Sequence, residues 1–137
     1  MTITVDINVL LDVVQKREPH YAASARVVSL VASGQVTGVV PGHAPTTLYY
    51  LARRHASKPE AEAAMDRVLA AFRIGNLDHA AWEEARTLAM TDFEDAAVAM
   101  VAETSASEFI VTRQVDDFLR SPVPAITPDD FLSHFPA

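Results

Sequence analysis

Residues 3–12 read ITVDINVLLD, and this stretch decides the fold. Residues 3–5 form a β-branched run with the character of a buried strand, and Asp6 ends it. The next stretch, Ile7–Val14, is helix-like, and Pro19 breaks it. The same handover recurs far along the chain. Phe109–Val111 reads as a strand, Thr112 closes it, and Asp116 and Asp117 follow in VTRQVDDF. Carboxylates at the carboxyl ends of strands in an open parallel sheet converge on one crevice, where such folds bind ligands. A third acidic island, Asp92 and Asp95 in TDFEDAAVA, lies where a helix begins.

Between these landmarks strands and helices alternate. Residues 21–33 have apolar positions at helical spacing, and Gly34 is placed as the residue after the helix. Residues 36–40 read as a second strand, stopped by Pro41-Gly42. Residues 46–55 form a helix with Pro45 near its first position, and residues 60–72 an alanine-rich one. Residues 72–74 suit a short strand, and Asp78 caps a helix over residues 80–89. Thr91-Asp92-Phe93-Glu94 matches a capping box, with Thr91 as the cap of a helix running to about Ser105. Ala125–Ile126 fits a short edge strand and residues 128–134 a last helical turn or two. The expected architecture is α/β: a three-layer α/β/α sandwich with a central, mostly parallel sheet, in a single domain over residues 1–137.

The bulk composition narrows the function. At 137 residues, half of them hydrophobic, the chain buries a real core and is not of disordered composition. No apolar run reaches the length of a membrane span, and no signal-peptide pattern opens the chain, so a cytoplasmic protein is expected. With no cysteine there is no disulfide, thiol chemistry or thiolate metal site. A net charge of −7 argues against broad charge-driven binding to nucleic acid, unless a bound cation and local basic clusters offset it. Arg53, Arg54, His55 and Lys58 form the densest such cluster, Lys16 and Arg17 a smaller one; each alone reads first as a solvated helix end.

Asp6 has two readings: a helix cap, or a metal carboxylate oriented by Asn8. Asp12 reads as a solvated or capping residue. Asp92 and Glu94 are explained by the helix dipole, whereas Asp95 borders the small apolar run AAVAMVA and needs a partner. Phe118 reads as the anchor of its loop, with Asp117 turned inward and Asp116 toward solvent. Thr112 stands ready to bond a carboxylate or phosphate. Oxygen ligands with no cysteine and little basic compensation suit a hard divalent cation, Mg²⁺ or Mn²⁺. The five histidines show no zinc-like spacing, and His43 alone falls at a predicted strand end.

Taken in order, VDINVLLD, TTLYYLARR, DFEDAAVAM and IVTRQVDDF followed by PAITPDDFL resemble the PIN domain family, which includes the VapC-type ribonuclease toxins. The resemblance spans nearly the whole chain. It implies metal-dependent cleavage of RNA phosphodiesters by Asp6, Asp95 and Asp117 as catalytic, metal-holding residues. It places Asn8 and Thr112 beside them; Thr47, Asp92, Asp116 and His43 are further candidates for supporting or substrate contacts. It also implies RNA as substrate and an antitoxin protein as partner. Residues 56–71 with Tyr49 and Tyr50 offer a partner or homodimer surface, although core packing accounts for most of them. The chain departs from the pattern at Thr47, where the family usually has a glutamate, and at Gln114, where it has Asn or Asp. Losing a carboxylate weakens metal binding. The expectations are then a one-metal site, a site using His43 or Asp92 as substitute, or an inactive module that binds RNA or protein. A phospho-acceptor receiver domain also sets acids at strand ends, but it needs a lysine at its final strand, and residues 121–127 contain none.

Overall fold

The computed structural model describes residues 1–135. Five short strands form one sheet: β1 (Thr2–Val5), β2 (Thr37–Pro41), β3 (Arg73–Gly75), β4 (Phe109–Val111) and β5 (Ala125–Ile126). Their order is β3-β2-β1-β4-β5 and every pairing is parallel. The helices are α1 (Ile7–Val14), α2 (Tyr21–Ala32), α3 (Ala44–His55), α4 (Lys58–Ala71), α5 (His79–Thr87), α6 (Phe93–Thr104) and α7 (Pro128–Leu132). A 3-10 turn, Val115–Phe118, follows β4. The expected three-layer α/β sandwich is the one observed.

Strand alternation sorts the core into two faces. Ile3 and Val5 of β1 and Val111 of β4 join the larger cluster with α1, α2, α3, α4 and Phe131 of α7. The residues between them turn the other way: Ile110 packs with Val98, Ala99 and Ala102 of α6, and Thr4 bonds Ser107 just after that helix at 2.8 Å. Alanines at 96, 97, 99 and 102 of α6 are buried, so this helix lies close on the sheet. Gly75 permits the approach at one end. A Cβ there would lie 2.9 Å from Val39 Cγ1 and nearer still to Val101 Cγ1.

This order puts a topological switch at β1. The chain first builds outward on one side through β2 and β3, then crosses by α6 to β4 and β5 on the other. A crevice opens where the two halves diverge, at the carboxyl ends of β1 and β4. Val5 and Val111 are register partners, so the residues that follow them, Asp6 and Thr112, emerge side by side.

Several boundaries differ from expectation for local reasons. Pro41 ends β2 instead of stopping it, because β1 has no partner beyond Val39 and no bond on that side needs a proline N–H. Helix α3 starts at Ala44, not Thr46, with Pro45 in its first turn. Helix α4 starts at Lys58, because Ser57 accepts from the Glu60 N–H at 3.3 Å. Helix α5 ends at Thr87, before Ala89, which sits at φ 55°. The cap of α6 is Asp92 and not Thr91: Asp92 Oδ1 accepts from the N–H groups of Glu94 at 2.7 Å and Asp95 at 3.2 Å. Both residues are good caps, but an ionised carboxylate is the stronger acceptor at a helix N-terminus.

Candidate functional site

Asp6 sits at the switch point, 6% exposed, with both oxygens committed. Oδ1 accepts from the Ile7 N–H at 2.8 Å, which caps α1. Oδ2 accepts from Thr112 Oγ1 at 2.9 Å and from Asn8 Nδ2 at 3.3 Å. Asn8 Nδ2 also lies 3.3 Å from Thr112 Oγ1, and its Oδ1 accepts from the Arg113 N–H at 3.4 Å. The side chain makes the cap of one sequence reading and the Asn8 contact of the other at once. Burial pushes the Asp6 carboxyl above its ordinary value. The Thr112 and Ile7 hydrogen bonds oppose that rise, Glu94 adds to it, and His43 opposes it.

Asp95 faces the same region from the first turn of α6 and is half-buried. Its carboxyl is pushed from 3.8 up to about 7, first by burial and then by the charges of Asp92, Asp6, Asp117 and Glu94. The structure thus gathers the three predicted carboxylates, Asp6, Asp95 and Asp117, into one electrostatic neighbourhood from three separate elements. Asp92, Asp95, Asp116, Asp117 and Arg120 line a cleft of about 460 Å³. Asp6 is not part of that wall and couples to it through Asp95.

The loop after β4 forms a short arm, the 3-10 turn Val115–Phe118. Phe118 is buried and anchors it, while Asp116 and Asp117 are both exposed on the 3-10 turn. The inward/outward distinction expected for the pair is therefore slight in burial. It survives in charge, since Asp117 and not Asp116 is among the groups acting on Asp95.

Thr47 is half-buried on α3, and its hydroxyl is spent on the His43 carbonyl at 3.2 Å. His43 caps that helix from the preceding position, so the two do stack despite Pro45. His43 Nε2 reaches Glu94 Oε1 at 3.4 Å. Glu94 was passed over in the sequence as dipole decoration, yet it faces Asp6, Asp95 and His43 together. Its signal was only its place beside Asp95. The basic clusters stay outside this geometry. Arg53, Arg54 and His55 fill the last turn of α3, where cations suit the helix dipole, and Arg54 lies over the Tyr50 ring at 5.8 Å.

One expectation is corrected. Asp12 is neither solvated nor a cap: it is fully buried and accepts from Arg113 Nε at 2.8 Å and Ser24 Oγ at 3.0 Å. Arg113 has its Nε committed to that ion pair.

As the side chains stand, no group of three or more His, Asp or Glu among the described residues is drawn tightly enough to hold an ion. The donor set nonetheless fits a hard cation in chemistry. It is all oxygen, and burial together with the surrounding negative charge pushes the Asp95 carboxyl up to about 7.

No helix among the described residues is long and apolar enough to cross a membrane. No curated protein matches the chain. Among solved structures, VapBC2 from Rickettsia felis, bound to a DNA fragment from its promoter, superposes with a TM-score of 0.72 at 18% identity, covering 93% of this chain and 98% of that one. VapBC-1 from nontypeable Haemophilus influenzae gives 0.70 at 16% identity, over 94% and 99%. Mycobacterium tuberculosis VapC20, a sarcin-ricin loop cleaving toxin, gives 0.63 at 17% identity, over 79% and 86%. At such identities the likeness is one of fold. The profile of the PIN domain matches residues 2–116, and the chain belongs to the PIN domain family.

Proposed function

We propose that the protein is a Mg²⁺- or Mn²⁺-dependent endoribonuclease, the toxin of a toxin–antitoxin pair. The observation that carries this reading is that Asp6, Asp95 and Asp117, from three separate elements, act on one another in a single neighbourhood. Burial first, and then the charges of Asp92, Asp6, Asp117 and Glu94, push the Asp95 carboxyl up to about 7. Such frustration costs folding energy in the free protein and is relieved by a cation.

In this reading Asp6, Asp95 and Asp117 hold the ion. The cation would supply Lewis acidity for phosphodiester hydrolysis. The chain's own residues do the rest. Thr112 and Asn8 keep Asp6 Oδ2 in one orientation. The Asp92 cap fixes the turn that presents Asp95. Arg120, on the cleft wall, meets an RNA phosphate and offsets the net negative charge of the chain. Glu94, braced by His43, brings a carboxylate near the region where Thr47 supplies none. The domain is proposed to extend over residues 1–137 and to work in the cytoplasm, with an antitoxin as partner and a homodimer as a further assembly.

The test is cleavage of single-stranded RNA with Mn²⁺ by wild type and by Asp6→Asn. Equal activity in both would remove Asp6 from the site. Two observations favour a second reading, a module that binds RNA or protein without cutting: Thr47 offers no carboxylate, and no three acids among the described residues come together tightly enough to hold an ion. Failure of wild type to bind Mn²⁺ at millimolar concentration would select it.

A further inference from the structure

Asp12 is fully buried, at the interface of α1 and α2, and does not line the acidic cleft. Its Oδ2 takes both hydrogen bonds, from Ser24 and Arg113, while Oδ1 has no partner among the described residues. Burying a carboxylate this incompletely satisfied is unfavourable, and an apolar side chain would pack there without that cost. What the ion pair provides is a fixed place for Arg113. Arg113 directly follows Thr112, and its backbone N–H donates to Asn8 Oδ1 at 3.4 Å. The Gln114 N–H donates to Thr112 Oγ1 at 3.1 Å, and the Asp117 N–H to the Gln114 carbonyl at 3.1 Å. A continuous path therefore runs from α2 through Ser24, Asp12 and Arg113 to the arm that bears Asp117.

We propose that Asp12 is a positioning residue: acting through Arg113, it fixes residues 112–117, with Thr112 and Asp117, against Asp6 and Asn8. Without this tie the segment between Thr112 and Phe118 keeps, besides its own turn bonds, only the long Arg113 N–H bond to Asn8 Oδ1 at 3.4 Å as a hydrogen bond to another element. The consequence for cation binding rests on the proposed function; the positioning itself does not.

The experiment is amide hydrogen exchange, read by NMR on wild type, Asp12→Asn, Arg113→Met and Ser24→Ala. The Thr4 and Ile110 amides, in β1 and β4, report global opening in the same molecules. Both Asp12→Asn and Arg113→Met should speed exchange at Arg113, Gln114 and Asp117 relative to those strand amides. Each should also weaken Mn²⁺ binding, measured by calorimetry, by roughly 10–100-fold. Ser24→Ala, which removes a contact to Asp12 but none to the arm, should lower Tm and leave the arm's relative exchange unchanged. Arg113 is partly exposed, so Arg113→Met remains a folded test where Asp12→Asn is not. The inference is overturned when these variants lower Tm while the Arg113, Gln114 and Asp117 amides keep wild-type exchange relative to the strands. If wild type binds no Mn²⁺, the nuclease reading falls, and the exchange rates still decide the role of Asp12.

Discussion

Asp6 and Asp95 are the same side chain in the same neighbourhood, and both have raised carboxyl pKa values, but for different balances of cause. Asp6 is buried at a strand end and tied by Ile7, Thr112 and Asn8, so its hydrogen bonds recover part of what burial costs. Asp95 is half-exposed and receives no such help; four other carboxylates add to its burden. One wall of the site is therefore pre-oriented and the other is electrostatically loaded. A cation has little to rearrange at Asp6 and much charge to relieve at Asp95. In the proposed reading, rigid placement at Asp6 and the raised carboxyl of Asp95 are two halves of a site whose assembly a cation would complete.

The largest expected effect comes from breaking the rigid wall. Asp6→Asn should cut Mn²⁺-dependent RNA cleavage by more than roughly 100-fold, the upper range for loss of a mere supporting residue around a metal. Its circular dichroism should stay native, because asparagine also caps a helix. Thr112→Val attacks the same wall from behind. It deletes the donor to Asp6 Oδ2 and the acceptor for the Gln114 N–H, in a residue with no exposure. Urea denaturation should show a loss of about 1–3 kcal/mol. Calorimetry should show roughly tenfold weaker Mn²⁺ binding.

On the loaded wall the expected sign reverses. The folded-state carboxyl of Asp95 titrates near about 7 against 3.8 for an ordinary aspartate. Between those values the native state binds more protons than the unfolded chain, so stability declines as pH rises across that window. The penalty is absent below it and complete above it. Asp95→Asn should therefore match wild type in metal-free denaturation at the acidic end and exceed it at pH 8. Equal stability of the two across the whole range would contradict the repulsion. The smallest effect is expected at the arm's tip. Asp116→Asn should leave Mn²⁺ affinity near wild type while Asp117→Asn weakens it clearly, since only Asp117 of the two acts on Asp95. Reversed ranks would exchange the two assignments.

The rigid wall was legible in the sequence and the loaded one only in part. β-Branched runs ending at Asp6 and at Thr112 announce parallel strands, and strand ends in such sheets converge by topology alone. The spacing of Asp92 and Asp95 likewise announces a helix start. Which residue caps that helix was not legible, because Thr91 and Asp92 both suit the role and backbone geometry makes the choice. Asp12 was misread because a lone acid in a helix gives no sign of burial; its counter-charge, Arg113, lies 101 positions away in sequence. Glu94 was missed for a related reason, since its partner His43 belongs to another helix. Contacts local in sequence could be read, whereas pairings set by the packing of distant elements could not.

The most direct test follows the Asp95 side-chain carboxyl by ¹³C NMR through a pH titration, first without divalent cation and then with millimolar Mg²⁺. The account predicts a midpoint near about 7 in the free protein and a clear fall toward the ordinary carboxylate range when Mg²⁺ is added. A midpoint that Mg²⁺ does not move, in a protein still folded, would contradict a cation site at Asp6, Asp95 and Asp117.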